Sequence, residues 1–114
     1  MISESDFIAA ADATLDAIGE AVDQALARSD VDLDWSINDG ILEIEGEDGG
    51  KLIVNRHVPN RELWVAARAG GYHFRAQGGR WIDSRSGEEI GAALARLLKS
   101  QAGLDVVLPA LPAP

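Results

Sequence analysis

SDFIAAADATLDAIGEAVDQAL (Ser5–Leu26), followed by SDVDLDWSI (Ser29–Ile37), decides how the rest of the chain has to fold. In the first segment Phe7, Ile8, Ala11, Leu15, Ile18, Val22 and Leu26 recur at three- and four-residue steps. That is the helical period, and it lays them on one stripe. At about 100° per residue, Asp12, Asp16, Glu20 and Asp23 fall in a second arc roughly 80° wide, well apart from the apolar one. The second segment alternates acid with apolar residue, the period of a half-buried strand. Asp30, Asp32 and Asp34 lie on one side of it; Val31, Leu33 and Trp35 lie on the other. A helix and its neighbouring strand thus each direct a row of carboxylates at solvent. That row is the candidate site.

The charge of the whole chain is concentrated there. Residues 1–50 hold 14 Asp and Glu against one basic residue, Arg28, whereas residues 51–114 hold 5 acids against 9 Lys and Arg. One side of the molecule should carry a concentrated negative field, which repels nucleic acid and attracts cations or basic protein surfaces. With 114 residues the chain is expected to form one domain, residues 1–105, with a proline-rich tail at 106–114. There is no cysteine, so no disulfide, thiolate metal site or redox thiol. No apolar run is long enough to span a membrane. Met1 to Asp6 has neither the basic n-region of a signal peptide nor the Arg-rich character of a transit peptide, and a cytoplasmic protein fits this best.

Outward from the acidic strand, Asn38-Asp39-Gly40 reads as a tight hairpin turn, and Asp48-Gly49-Gly50 as a second. Ile41–Glu47 and Lys51–Arg56 are the strands beside them. Val58-Pro59-Asn60 forces the next turn, because proline fixes φ and lacks a donor. Leu63–Ala67, Tyr72–Arg75 and Arg80–Asp83 follow as strands separated by paired glycines. Ser86-Gly87-Glu88-Glu89 has the form of a capping box. It opens a helix with Ile90, Leu94, Leu97, Leu98 and Gln101 on one face that ends at Gly103. Hairpin-length turns make the sheet antiparallel. Helices at the two chain ends then bury their stripes on one face of it. The expected fold is α+β: a two-layer sandwich with both terminal helices on one face of a five- to six-stranded antiparallel sheet.

Open carboxylates suit hard cations, each offering one or two oxygens and leaving water to complete the shell. The expected binding is weak and poorly selective, and nothing in the spacing names the metal. No interleaved Lys or Arg at i+4 supports the helix acids, so the row lacks a counter-charge. His57 and His73 read as structural or surface residues. By parity Trp35 belongs to the core and Trp64 to the wet sheet face, with Trp81 partly buried. No Ser–His–Asp set can be assembled, and no Glu-x-x-His pair exists for a di-iron bundle.

Asn55-Arg56-His57-Val58-Pro59-Asn60-Arg61-Glu62-Leu63-Trp64-Val65-Ala66, then Gly70-Gly71-Tyr72-His73-Phe74, then Trp81-Ile82 and Arg85-Ser86-Gly87-Glu88, together resemble the bacterial branch of the frataxin family. The likeness runs to about Leu104 and leaves the tail outside. It implies an iron-binding regulator of iron–sulfur cluster assembly that docks on the cysteine desulfurase through an acidic ridge. A ferroxidase or iron-storage protein is the alternative, and the sole enzymatic candidate. A small acidic interaction domain without a metal role is another. The resemblance carries the metal ridge onto Glu20, Asp23, Asp30, Asp32 and Asp34, with Asp12 and Asp16 extending it. Partner binding falls on Glu20, Asp23, Trp64, Asn55 and Arg56. The implied metal is Fe2+/Fe3+, exchangeable and replaceable by other divalent cations. The implied partners are the desulfurase and the cluster scaffold protein, with no nucleic acid and no membrane, and with a monomer that iron drives to oligomerise. Two features depart from the family: the acid-poor helix end Gln24–Arg28, and Glu62 where many members have an amide.

Overall fold

Each of the first five strands is followed by a turn too short to do anything but fold the next strand back on it. In the computed structural model, which describes residues 2–114, the order is α1 (Glu4–Leu26), β1 (Leu33–Asn38), β2 (Ile41–Gly46), β3 (Lys51–His57), β4 (Glu62–Ala67), β5 (Gly70–Gln77), β6 (Arg80–Asp83) and α2 (Ile90–Ala102). The six strands pair antiparallel in sequence order, β1 through β6. Both helices cover one face, as the sequence predicts. At the β1–β2 turn Asp39 and Gly40 both have positive φ, 50° and 76°, the mirror-image turn that matches strand twist.

Alternation along the strands sorts the side chains. Leu33, Leu42, Ile44, Leu52, Val54, Leu63, Val65, Phe74 and Trp81 face the helices and are buried. They meet Phe7, Leu15, Ile18 and Val22 of α1, and Ile90, Leu94, Leu97 and Leu98 of α2. Trp81, expected to be partly buried, is fully enclosed. Its indole N–H donates to Thr14 Oγ1 at 3.2 Å, and its ring meets Phe7 edge-on with centroids 5.9 Å apart. One hydrogen bond lets the largest side chain of the core go in without an orphan donor.

Three local expectations change. The strand expected to open at Ser29 begins at Leu33, so Asp30 and Asp32 lie in the connector from α1, although exposure still alternates from Asp30 to Asp34. Ser86 does not cap α2. Gly87, at φ 77°, turns the chain so that Glu89 bridges back to Ile82 and remains extended. Glu89 is the cap, its carboxylate accepting from Ala92 N–H, while Ser86 Oγ binds Asp83. Trp35, expected in the core, is half-buried against α1. The tail after α2 packs on the core: Leu104, Val106 and Leu111 are buried, and Ala113 N–H donates to Gly79 O at 3.0 Å.

Candidate functional site: an acidic edge and an aromatic sheet face

Helix α1 starts on Ser3, whose hydroxyl accepts from Asp6 N–H, and Glu4 and Asp6 in its first turn suit the positive end of the dipole. Its other end is unusual. No basic residue occupies the last turn, and Asp23 stands there instead, close to the partial negative charge. Asp16 and Glu20 are exposed and make no ion pair or hydrogen bond from their carboxylates among the described residues. The same holds for Asp30, Asp32 and Asp34. Arg28, the cation nearest in sequence, pairs with none of them.

Two members of the row are tied down. Arg56 reaches Asp12 at 2.5 Å and lies 3.9 Å from Asp39. It does so because alternation turns Arg56 toward α1 while Asn55 turns to the open face. Gly40 leaves room for it: a Cβ there would come within 2.7 Å of the guanidinium. So Asp12 already has its counter-charge, and Arg56 stands with the acids rather than beside Trp64. Asp23 accepts the indole N–H of Trp35 at 2.8 Å. That indole packs against α1 at Gly19, where an added Cβ would sit 2.6 Å from the ring. The row also bends. Asp34 faces the open side of the sheet opposite Glu45, away from Asp30 and Asp32 in the connector. Among the described residues no three acid or histidine side chains converge tightly enough to hold an ion by themselves.

The open face of β3–β5 carries a second group. Register places Asn55 and His73 on either side of Trp64, and His57 opposite Glu62. Trp64 is sandwiched: His57 stacks on it at 3.6 Å with planes 9° apart, and His73 at 4.4 Å and 8°. Its N–H donates to Glu62 Oε1 at 2.8 Å. Glu62 is buried, and its other oxygen takes a 2.9 Å bond from Arg75. Burial pushes this carboxyl up, but the hydrogen bonds from Trp64 and Arg75 and the charges of Arg75 and His73 outweigh it. Glu62 therefore sits below its ordinary value and stays ionised. Parity placed Trp64 on this face, and the family resemblance named Asn55 as a partner-binding residue, but the two histidines and Glu62 were missed as its frame. The signal was in the parity of His57, Glu62, Trp64 and His73, once the pairing register is known.

A family model described as frataxin-like domain matches residues 1–104. The chain is 47% identical over 109 residues, 96% of each chain, to a Ralstonia nicotianae protein named iron-sulfur cluster assembly protein CyaY. A Cupriavidus taiwanensis protein of the same name is 49% identical over 105 residues, 92% of this chain and 95% of that one. Among solved structures, a frataxin from Psychromonas ingrahamii superposes with a TM-score of 0.76 at 31% identity, covering 92% of this chain and 96% of that one. Trimeric yeast frataxin from Saccharomyces cerevisiae, complexed with ferrous, gives a TM-score of 0.72 at 21% identity over 82% of this chain and 86% of that one, a likeness of fold alone. The terminal helices on one face of a six-stranded antiparallel sheet, the match over residues 1–104 and the near-full-length relatives lead to one conclusion: the chain belongs to the frataxin-like family.

Proposed function

We propose that this protein takes part in iron–sulfur cluster assembly as a regulator that docks on the cysteine desulfurase through its acidic edge and binds iron weakly there. The carrying observation is the set Asp16, Glu20, Asp30 and Asp32: exposed carboxylates of α1 and the connector that follows it, which no cation of the chain neutralises among the described residues. Uncompensated like charges cost stability, and a basic partner surface or a cation offsets that cost. The names of its bacterial relatives support the pathway, and the ferrous complex described for yeast frataxin supports the metal.

The donor set fits iron as a hard cation held by carboxylate oxygens and water. Asp16, Glu20 and Asp23 on α1, with Asp30, Asp32 and Asp34, would hold it, each through few oxygens. Such binding is exchangeable and open to other divalent cations. Asp12 contributes least, since Arg56 occupies it. The cluster scaffold is the natural second partner, facing Trp64 and Asn55 on the sheet; the compartment is the bacterial cytoplasm. The test is co-purification with the desulfurase, comparing wild type with a variant carrying Asp16→Asn, Glu20→Gln, Asp30→Asn and Asp32→Asn. Capture is expected from the wild type alone; equal capture by both would overturn docking through this edge. Oxygen consumption after adding Fe(II) separates the regulator from a ferroxidase: rapid uptake that the four substitutions abolish would favour the enzyme.

A further inference from the structure

Where the α1–β1 connector, the β2–β3 hairpin and the end of α2 meet, the surface opens into a cavity of about 300 Å³. Its floor is apolar: Leu33, Ile44, Leu52 and Leu98, all buried in the core, with Ala102 at one wall. Its rim is acidic: Asp30, Asp32, Glu47 and Asp48. The chain's own Arg68 shows what such a rim accepts. Its guanidinium crosses Gly50 and bonds Asp48 at 2.8 Å, which leaves Asp30, Asp32 and Glu47 without a cation among the described residues.

A hydrated metal ion has no use for an apolar floor, and a neutral hydrophobe gains nothing from four carboxylates. A cation on an aliphatic stem satisfies both. Of the two such side chains, arginine carries the more weakly hydrated head and a planar fork that bonds two carboxylate oxygens at once. We propose that this cavity receives an arginine side chain from the basic surface of the protein partner, with its methylenes on Leu33, Ile44, Leu52 and Leu98 and its guanidinium at Asp30 and Asp32. The proposal rests on the reading that the acidic edge docks on a basic protein, and adds to it a pocket for one anchoring side chain.

The probe is agmatine, decarboxylated arginine, which carries a guanidinium on a four-carbon stem that ends in an ammonium. It is followed through the methyl resonances of Leu33, Ile44, Leu52 and Leu98, with guanidinium chloride and the dication putrescine at equal ionic strength as the controls. Agmatine is expected to shift these methyls saturably while guanidinium and putrescine do not. Asp30→Asn with Asp32→Asn, both exposed and structurally undemanding, should weaken agmatine at least 5-fold. Ala102→Trp, which fills the cavity and removes no carboxylate, should abolish the shifts and weaken desulfurase binding about 10-fold. Asp16→Asn with Glu20→Gln should leave the agmatine shifts intact. Shifts equal for agmatine and either control, or insensitive to the Asp30 and Asp32 changes, would overturn the pocket. Unaltered desulfurase binding after neutralising Asp16, Glu20, Asp30 and Asp32, with agmatine still seated in wild type, would instead overturn the docking reading and spare the cavity.

Discussion

A glycine inside a helix costs about 1 kcal/mol relative to alanine, yet position 19, in the middle of α1, is glycine. The reason is Trp35, whose ring lies where a Cβ would be, 2.6 Å from its carbons, and whose N–H holds Asp23. Gly19→Ala gains propensity but forces the ring away, an overpacking cost of about 1–3 kcal/mol. The expected net is a loss of about 1 kcal/mol in urea unfolding, with altered Trp35 fluorescence. In a Trp35→Ala background the same change should stabilise by about 1 kcal/mol. Glu62 gives a second test at this scale. Its carboxyl is held below the ordinary value of 4.5 in the folded chain, so the stability it contributes is complete above that value and is lost as pH falls through the folded one. Glu62→Gln should therefore cost about 1 kcal/mol at pH 7, and the difference from wild type should shrink steadily below about pH 4. A gap that persists at pH 3 would mean shape rather than charge is at stake.

Among the elements, α1 bears the strain of the site. Asp12, Asp16 and Glu20 follow one another at i+4 spacing, and among the described residues only Asp12 has a basic partner. Like charges at that spacing cost a few tenths of a kcal/mol per pair. Asp16→Asn with Glu20→Gln is expected to raise the melting temperature in metal-free, low-salt buffer, and the gain should fade as salt screens the repulsion; a clear drop would mean the two acids are structurally paired. Periodicity made α1, α2 and the acidic row legible in sequence, because burial follows 3.6 and 2.0 residue periods directly. Position across the chain was harder to read. Arg56 meets Asp12 across 44 residues, a pairing that depends on how a helix lies over a sheet. The His57–Trp64–His73 stack depends on strand register, which no local pattern states. The start of α2 was misread for a local reason: Ser86 matches the capping pattern, but Asp83 engages its hydroxyl.

Across the whole molecule, the chain ends close the layers. The segment after α2 buries Val106 and Leu111 and ties its last residues to the β5–β6 hairpin through Ala113 and Gly79. Burying two such side chains stabilises by about 3–5 kcal/mol in total. A chain ending at Asp105 is expected to unfold at a lower urea midpoint by a corresponding amount and to keep its acidic edge. The charge division between the two halves of the sequence acts at the same scale: the field of the acidic edge extends over a Debye length, about 8 Å at physiological salt, and steers a basic surface toward α1 and the connector. The most direct measurement of that claim is the affinity for the cysteine desulfurase across a salt series, by calorimetry, for wild type and the variant neutralised at Asp16, Glu20, Asp30 and Asp32. Wild-type affinity is expected to fall steeply from low to high salt and the variant to bind weakly with a shallow slope; an affinity indifferent both to salt and to those four substitutions would contradict the account.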